Sequence, residues 1–179
     1  MPWPKNRPRN HDRQPRSRSP ITLAPSVMTS PVHFSSKSDE WATPLELFKC
    51  ISSKFGPFDL DVCASPANAK CPRFFTKAQD GLSQIWQGRC WMNPPYGSAI
   101  KSWMRKAHSE ARRFQGPIVV CLVPARTDTV WWHSYAAPWQ IIFLRGRVCF
   151  EGGKFTAPFP SAVVIMDNNG IPSTQYGLS

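Results

Sequence analysis

No apolar run in this chain approaches the roughly 18 residues a helix needs to cross a membrane, and the amino terminus lacks the apolar centre of a secretory signal. The expectation is a cytoplasmic protein. Acidic residues are scarce, with 11 Asp and Glu against 22 Lys and Arg, which leaves a net charge of +11. That balance points to a polyanionic partner, nucleic acid before a membrane surface. Metal-binding spacings are missing as well. The six cysteines, at 50, 63, 71, 90, 121 and 149, contain no C-x(2-4)-C pair, and the histidines at 11, 33, 108 and 133 do not cluster with them. Neither a structural zinc nor a disulfide framework is expected, and Cys63, Cys90 and Cys121, inside apolar strand-like runs, read as small buried thiols.

What is present divides by composition. Residues 1 to 37 hold seven prolines and seven Lys or Arg against only Asp12, a charge of +6 that leaves +5 of the total +11 to residues 38 to 179. Such a stretch cannot bury a core and reads as a basic, Pro-rich disordered arm, either simply solvated or following phosphates. Residues 38 to 166 carry the folding signals of one domain, and 167 to 179 read as a loose tail.

Trp91-Met92-Asn93-Pro94-Pro95-Tyr96 organises that domain. Pro94 and Pro95 restrict their own φ and bias the residue before each away from helix, so the loop is stiff and aims its carbonyls in fixed directions. An amino group conjugated to a flat ring is a poor nucleophile because its lone pair is delocalised. The oxygen of Asn93 and the carbonyl of Pro94 can accept both amine protons and turn the lone pair towards an electrophile, while Tyr96 offers a face for the ring. The plain alternative is a proline-rich turn capping a strand.

Around this loop, Thr43-Pro44 followed by Leu45, Leu47, Phe48 and Ile51 predicts a helix up to Gly56, with Thr43 as its cap in the simplest reading. Phe58 to Ala64 alternates as a short strand, and Asp61 to Ser65 would lie at its carboxyl end, where open α/β sheets bind ligands. Asp80-Gly81 reads as a turn. Ala99 to Phe114 shows one apolar helical face, and Ile118 to Val123 is a strand covered on both sides, which implies a parallel sheet. Its end runs into Arg126, on the same rim as Asn93, with a local ion pair to Asp128 as the competing explanation. Trp131-Trp132 opens a short helical piece. Trp139 to Leu144 is a strand, a hairpin turns at Gly152-Gly153, and Ala162 to Met166 is the last strand.

Taken in order, Trp41-Ala42-Thr43-Pro44, Asp61-Val62-Cys63-Ala64-Ser65 with Asn68-Ala69-Lys70, Asp80-Gly81-Leu82, Asn93-Pro94-Pro95-Tyr96, Val123-Pro124-Ala125-Arg126, and Gly146-Arg147 with Ala157 to Ala162 resemble the phage-type DNA adenine-N6 methyltransferases. The resemblance implies a Rossmann-like α/β methyltransferase sheet, mostly parallel with a reversed strand near the carboxyl terminus. It implies S-adenosylmethionine as cofactor, held by Trp41, Thr43, Pro44, Asp61, Ala64, Ser65, Asp80 and Asn93. It implies adenine in DNA as substrate, extruded from the duplex and stacked on Tyr96, with Arg126, Arg145, Arg147 and Lys154 on the DNA, and a monomer working without a metal in a bacterial host cell. One departure stands out: the cofactor loop has no G-x-G, and Ala64-Ser65-Pro66-Ala67-Asn68 replaces it. The Asn-Pro-Pro-Tyr string also occurs in methyltransferases of RNA and of protein glutamine. Those substrates and a non-catalytic DNA-binding protein are the rival readings.

Overall fold

The computed structural model describes residues 41–150 and 155–168, which lie within one compact unit, Ser35–Ser179. Lys154, the Gly152-Gly153 turn, the amino-terminal arm and the tail after 168 lie outside the described residues. The first helix, α1, spans Leu45–Phe55, and its apolar stripe places Phe48 against Phe58 and Trp91, ring centroids 5.8 and 5.3 Å away. Its cap is Pro44 rather than Thr43: the Pro44 carbonyl accepts from the Phe48 N–H, and no side chain caps the helix. The Thr43 hydroxyl is therefore free of the role that the Thr-Pro pair suggests.

Eight strands follow: β1 Leu60–Asp61, β2 Arg73–Phe74, β3 Arg89–Met92, β4 Ile118–Pro124, β5 Gln140–Phe143, β6 Cys149–Phe150, β7 Phe155–Thr156 and β8 Ser161–Met166. Six of them form one sheet in the order β2-β1-β3-β4-β8-β5, and β6 and β7 pair separately as the expected hairpin. Pairing is parallel from β2 through β4, with Trp91 opposite Val120, and β8 runs antiparallel to both of its neighbours. This is the α/β sheet with one reversed strand that the sequence predicts. The two-residue β2 is an addition, since Phe74-Phe75 carries too short a pattern to read as strand.

Helix α2, Ile100–Ala111, crosses from β3 to β4, because parallel neighbours need such a connection. It buries Ile100, Trp103, Met104, Ala107 and Ala111, and β4 and β8 are buried along nearly their whole length, as strands covered on both faces must be. One charged residue sits on the buried face of α2. Glu110 is held by Lys106 at 2.7 Å and Arg113 at 3.0 Å, which a periodicity argument does not foresee. The piece opened by Trp131-Trp132 is a five-residue π-helical turn, Trp132–Ala136.

All the parallel strands end on one rim. β1 delivers Asp61 there, β2 delivers Phe75 and Thr76, β3 delivers Asn93, and β4 delivers Ala125 and Arg126. Ligands in open α/β sheets bind beyond the carboxyl ends of the strands, and this rim is where both cavities described below open.

Candidate active site

The larger cavity, about 730 Å³, is lined by Trp41, Thr43, Asp61, Ala64, Ser65, Asp80, Asn93, Pro94 and Pro95 among others. Those nine come from four separate stretches of chain that the sequence singles out. Pro44 is not among the lining residues, since it serves as the cap of α1. Tyr96 is not among them either.

Asn93 is fixed at both ends of its amide. Its Nδ2 donates to the carbonyl of Trp41, and its Oδ1 accepts from the Tyr96 hydroxyl at 2.6 Å. The assignment of oxygen and nitrogen follows from the partners, because a backbone carbonyl can only accept. The Tyr96 oxygen also lies 3.2 Å from the carbonyl oxygen of Leu122. Burial pushes the pKa of that phenol well above its ordinary value, so it stays a neutral donor. The Tyr96 ring is buried and packs edge-on against Phe150 and Phe159, with centroids 6.1 and 5.5 Å away. Trp41 packs on the same two rings. The phenol thus also holds the amide beside it, a role the sequence reading did not give it.

Asp61 is 3 % exposed, and its carboxylate accepts from the backbone N–H of Lys70 at 3.0 Å and of Cys63 at 3.4 Å. Burial raises its pKa from 3.8 to about 6, against the opposing pull of those hydrogen bonds and the Lys70 charge. The loop that replaces a glycine-rich turn is closed by side chains: Asn68 Oδ1 accepts from the Ser65 N–H at 2.7 Å. Asp80 has a left-handed φ of 48° and its Oδ1 accepts from the Leu82 N–H at 3.3 Å, so it is a turn residue and a cavity residue at once. Gly81 follows because nothing larger fits: a Cβ there would stand 2.1 Å from the Val62 carbonyl oxygen. The Trp86 indole donates to the Gly81 carbonyl at 2.8 Å and its ring stacks on Trp103, which ties this wall to α2.

Several lining residues escape the sequence reading. Phe75, Lys77 and Trp103 also face the cavity. Phe75 could have been found from the strand-end rule had β2 been recognised, whereas Trp103 sits on the buried face of α2 and reads as core. With Asp61 and Asp80 opposed by Lys70 and Lys77, the cavity holds both signs of charge beside four aromatic rings. The Thr43 hydroxyl, on a residue 4 % exposed, has no hydrogen-bond partner among the described residues. A zwitterionic ligand with a flat ring and a free polar group for Thr43 fits these features, and the volume is that of an ordinary small-molecule site.

A second cavity of about 340 Å³ lies on the other side of the loop and is lined by Tyr96, Ser98, Lys101, Arg126, Thr129 and Trp131, among others. Arg126 makes no ion pair with Asp128; its loop is held instead by Thr129 Oγ1, which donates to the Arg126 carbonyl at 2.8 Å. Arg145 and Arg147 are exposed and line neither cavity. Cys90 and Cys121 are buried free thiols, with burial pushing Cys90 up to about 12, and Cys63 is only partly covered. Among the described residues no three His, Cys, Asp or Glu gather to hold a metal, and no helix is long and apolar enough to cross a membrane.

Residues 32–169 match the family model described as DNA N-6-adenine-methyltransferase (Dam). The DNA N-6-adenine-methyltransferase of Haemophilus phage HP1 (strain HP1c1) is 36% identical over 107 residues, covering 59% of this chain and 61% of that protein. The protein of the same description in Escherichia phage T1 is 30% identical over 95 residues, 52% of this chain and 39% of that one. The putative methyltransferase YfdM of Escherichia coli (strain K12) is 37% identical over 65 residues, 32% of this chain and 71% of that one. The chain thus spans less than two thirds of the length of the two phage relatives.

Proposed function

The chain belongs to the DNA N-6-adenine-methyltransferase family, and from that premise we propose that it transfers a methyl group from S-adenosylmethionine to the exocyclic amine of adenine in DNA. The observation that carries this reading is the amide of Asn93, locked by Trp41 and Tyr96 at the edge of a cavity of both charges. S-adenosylmethionine supplies an electrophilic methyl group on a sulfonium.

The protein's part is to bind, orient and accept. Thr43 meets a polar group of the cofactor with its otherwise unpartnered hydroxyl, Asp61 and Asp80 face its cationic and amine groups, and Trp41, Ala64, Ser65 and Phe75 enclose it. Asn93 Oδ1 has one lone pair left after Tyr96, and that lone pair with the Pro94 carbonyl accepts the two amine protons of the adenine. Extruding the base costs a few kcal/mol. The extruded adenine stacks on Tyr96, with its amine held at Asn93 and the Pro94 carbonyl. Most of the acceleration then comes from positioning, with no covalent intermediate. Arg126, Arg145, Arg147 and Lys154 contact the DNA backbone.

Incubation with methyl-labelled S-adenosylmethionine and, separately, DNA, RNA and protein, followed by digestion, tests this reading. Label in N6-methyladenine from DNA is the expected result. Label confined to RNA or to glutamine would replace the substrate, and no label anywhere would overturn the activity.

A further inference from the structure

The second cavity has a charge and position of its own. Two of its lining residues are cations, none is acidic, and the walls between them are the buried rings of Tyr96 and Trp131. Lys101 comes from the first turn of α2 and Arg126 from the loop after β4, so two separate elements aim positive charge at one spot on the rim. Both are exposed and unpaired among the described residues. The remaining Lys and Arg of α2 and of the two residues after it divide in two. Lys106 and Arg113 are taken by Glu110, while Arg105 and Arg112 have no ion pair among the described residues and are exposed. At 100° per residue, Lys101, Arg105 and Arg112 fall within about 40° of one another on the helix. An acid-free basic stripe thus runs from the cavity mouth along the helix.

Resting on the DNA reading above, we propose that this cavity seats a backbone phosphate of the strand that carries the target adenine, clamped between Lys101 and Arg126. The clamp sits on the opposite side of the Asn93 to Tyr96 loop from the larger cavity, so it anchors the strand where the base leaves it and takes no part in the methyl transfer. Its effect belongs in DNA affinity rather than in turnover.

The test is a salt titration of DNA binding for the wild type, Lys101→Gln, Arg126→Gln, the double variant and Lys54→Gln, an exposed cation of α1 outside both cavities. One phosphate contact is worth about 0.9 in the slope of log affinity against log salt. The double variant is expected to lose about that slope and roughly tenfold or more in affinity at low salt, with an unchanged Tm and unchanged cofactor affinity. Lys54→Gln is expected to run parallel to wild type. A duplex with one neutral methylphosphonate beside the methylated adenine should weaken wild type and leave the double variant unaffected. An unchanged slope in the double variant, or a fall in kcat without loss of DNA affinity, overturns the clamp while leaving DNA methylation by the wild type standing. A wild type that methylates RNA or protein instead of DNA removes the clamp together with the reading beneath it.

Discussion

The amide of Asn93 can sit in its place two ways round, and Trp41 and Tyr96 together select the one that leaves an oxygen lone pair for substrate. Asn93→Ala removes that acceptor from a half-buried position, so turnover should fall by about 100- to 1,000-fold, with cofactor binding kept. Near-normal turnover would sink the catalytic assignment. Tyr96→Phe asks a finer question, because it keeps the ring and deletes only the hydroxyl that holds the amide. A fall of about tenfold in kcat with little change in KM is expected. A rise in KM alone would mean that the phenol serves the substrate and not Asn93. Asp61 adds a pH dependence. Folding raises its pKa from 3.8 to about 6, so its neutral form is the favoured one; that contribution to stability is complete below pH 3.8 and is lost as pH rises through about 6. A cationic group bound beside Asp61 requires the opposite, ionised form. Cofactor affinity measured by calorimetry should therefore weaken by about tenfold per pH unit below 6, and Asp61→Asn should flatten the profile. A flat profile in the wild type would show that the cofactor's cationic end lies elsewhere.

Among the elements, the loop at Asp80-Gly81 is the most exposed to a single change. In Gly81→Ala the new Cβ meets the Val62 carbonyl, so the loop must lift off the end of β1. A cost of about 2 kcal/mol is expected, which for a chain of this size lowers Tm by roughly 4 to 8 °C. Cofactor affinity should fall with it, since Asp80 moves too; an unchanged Tm would show that the loop yields without strain. This element also shows what the sequence could and could not reveal. The Asn93 to Tyr96 loop and the long apolar β4 were legible because stiff prolines and a seven-residue apolar run leave few alternatives. β2 has only two residues, too few for a period, so the site wall built on Phe75 was not. Thr43-Pro44 misled for a local reason: a proline carbonyl can start the helix itself, which freed the threonine for the cavity. No local pattern announced the edge contacts of Tyr96 with the distant Phe150 and Phe159.

At the scale of the whole molecule, charge is shared between the folded unit and residues 1 to 37, whose +6 leaves +5 for the rest of the chain. If that arm follows phosphates, removing it should flatten the slope of log DNA affinity against log salt by several units, at about 0.9 per phosphate, and leave Tm and cofactor affinity unchanged. Superimposable salt titrations for the full and shortened proteins would leave DNA binding to the basic rim alone. The order of the large sheet carries one more consequence. Its final strand, β8, lies between β4 and β5, and among the described residues no other strand joins them. While a ribosome is still making the chain, β4 has no partner on one side, and its apolar run stands as an open edge able to recruit another strand until residues 161 to 166 emerge. A fragment stopped at Pro160 should for that reason collect in inclusion bodies, and supplying Ser161 to Met166 as part of a longer fragment should return it to the supernatant.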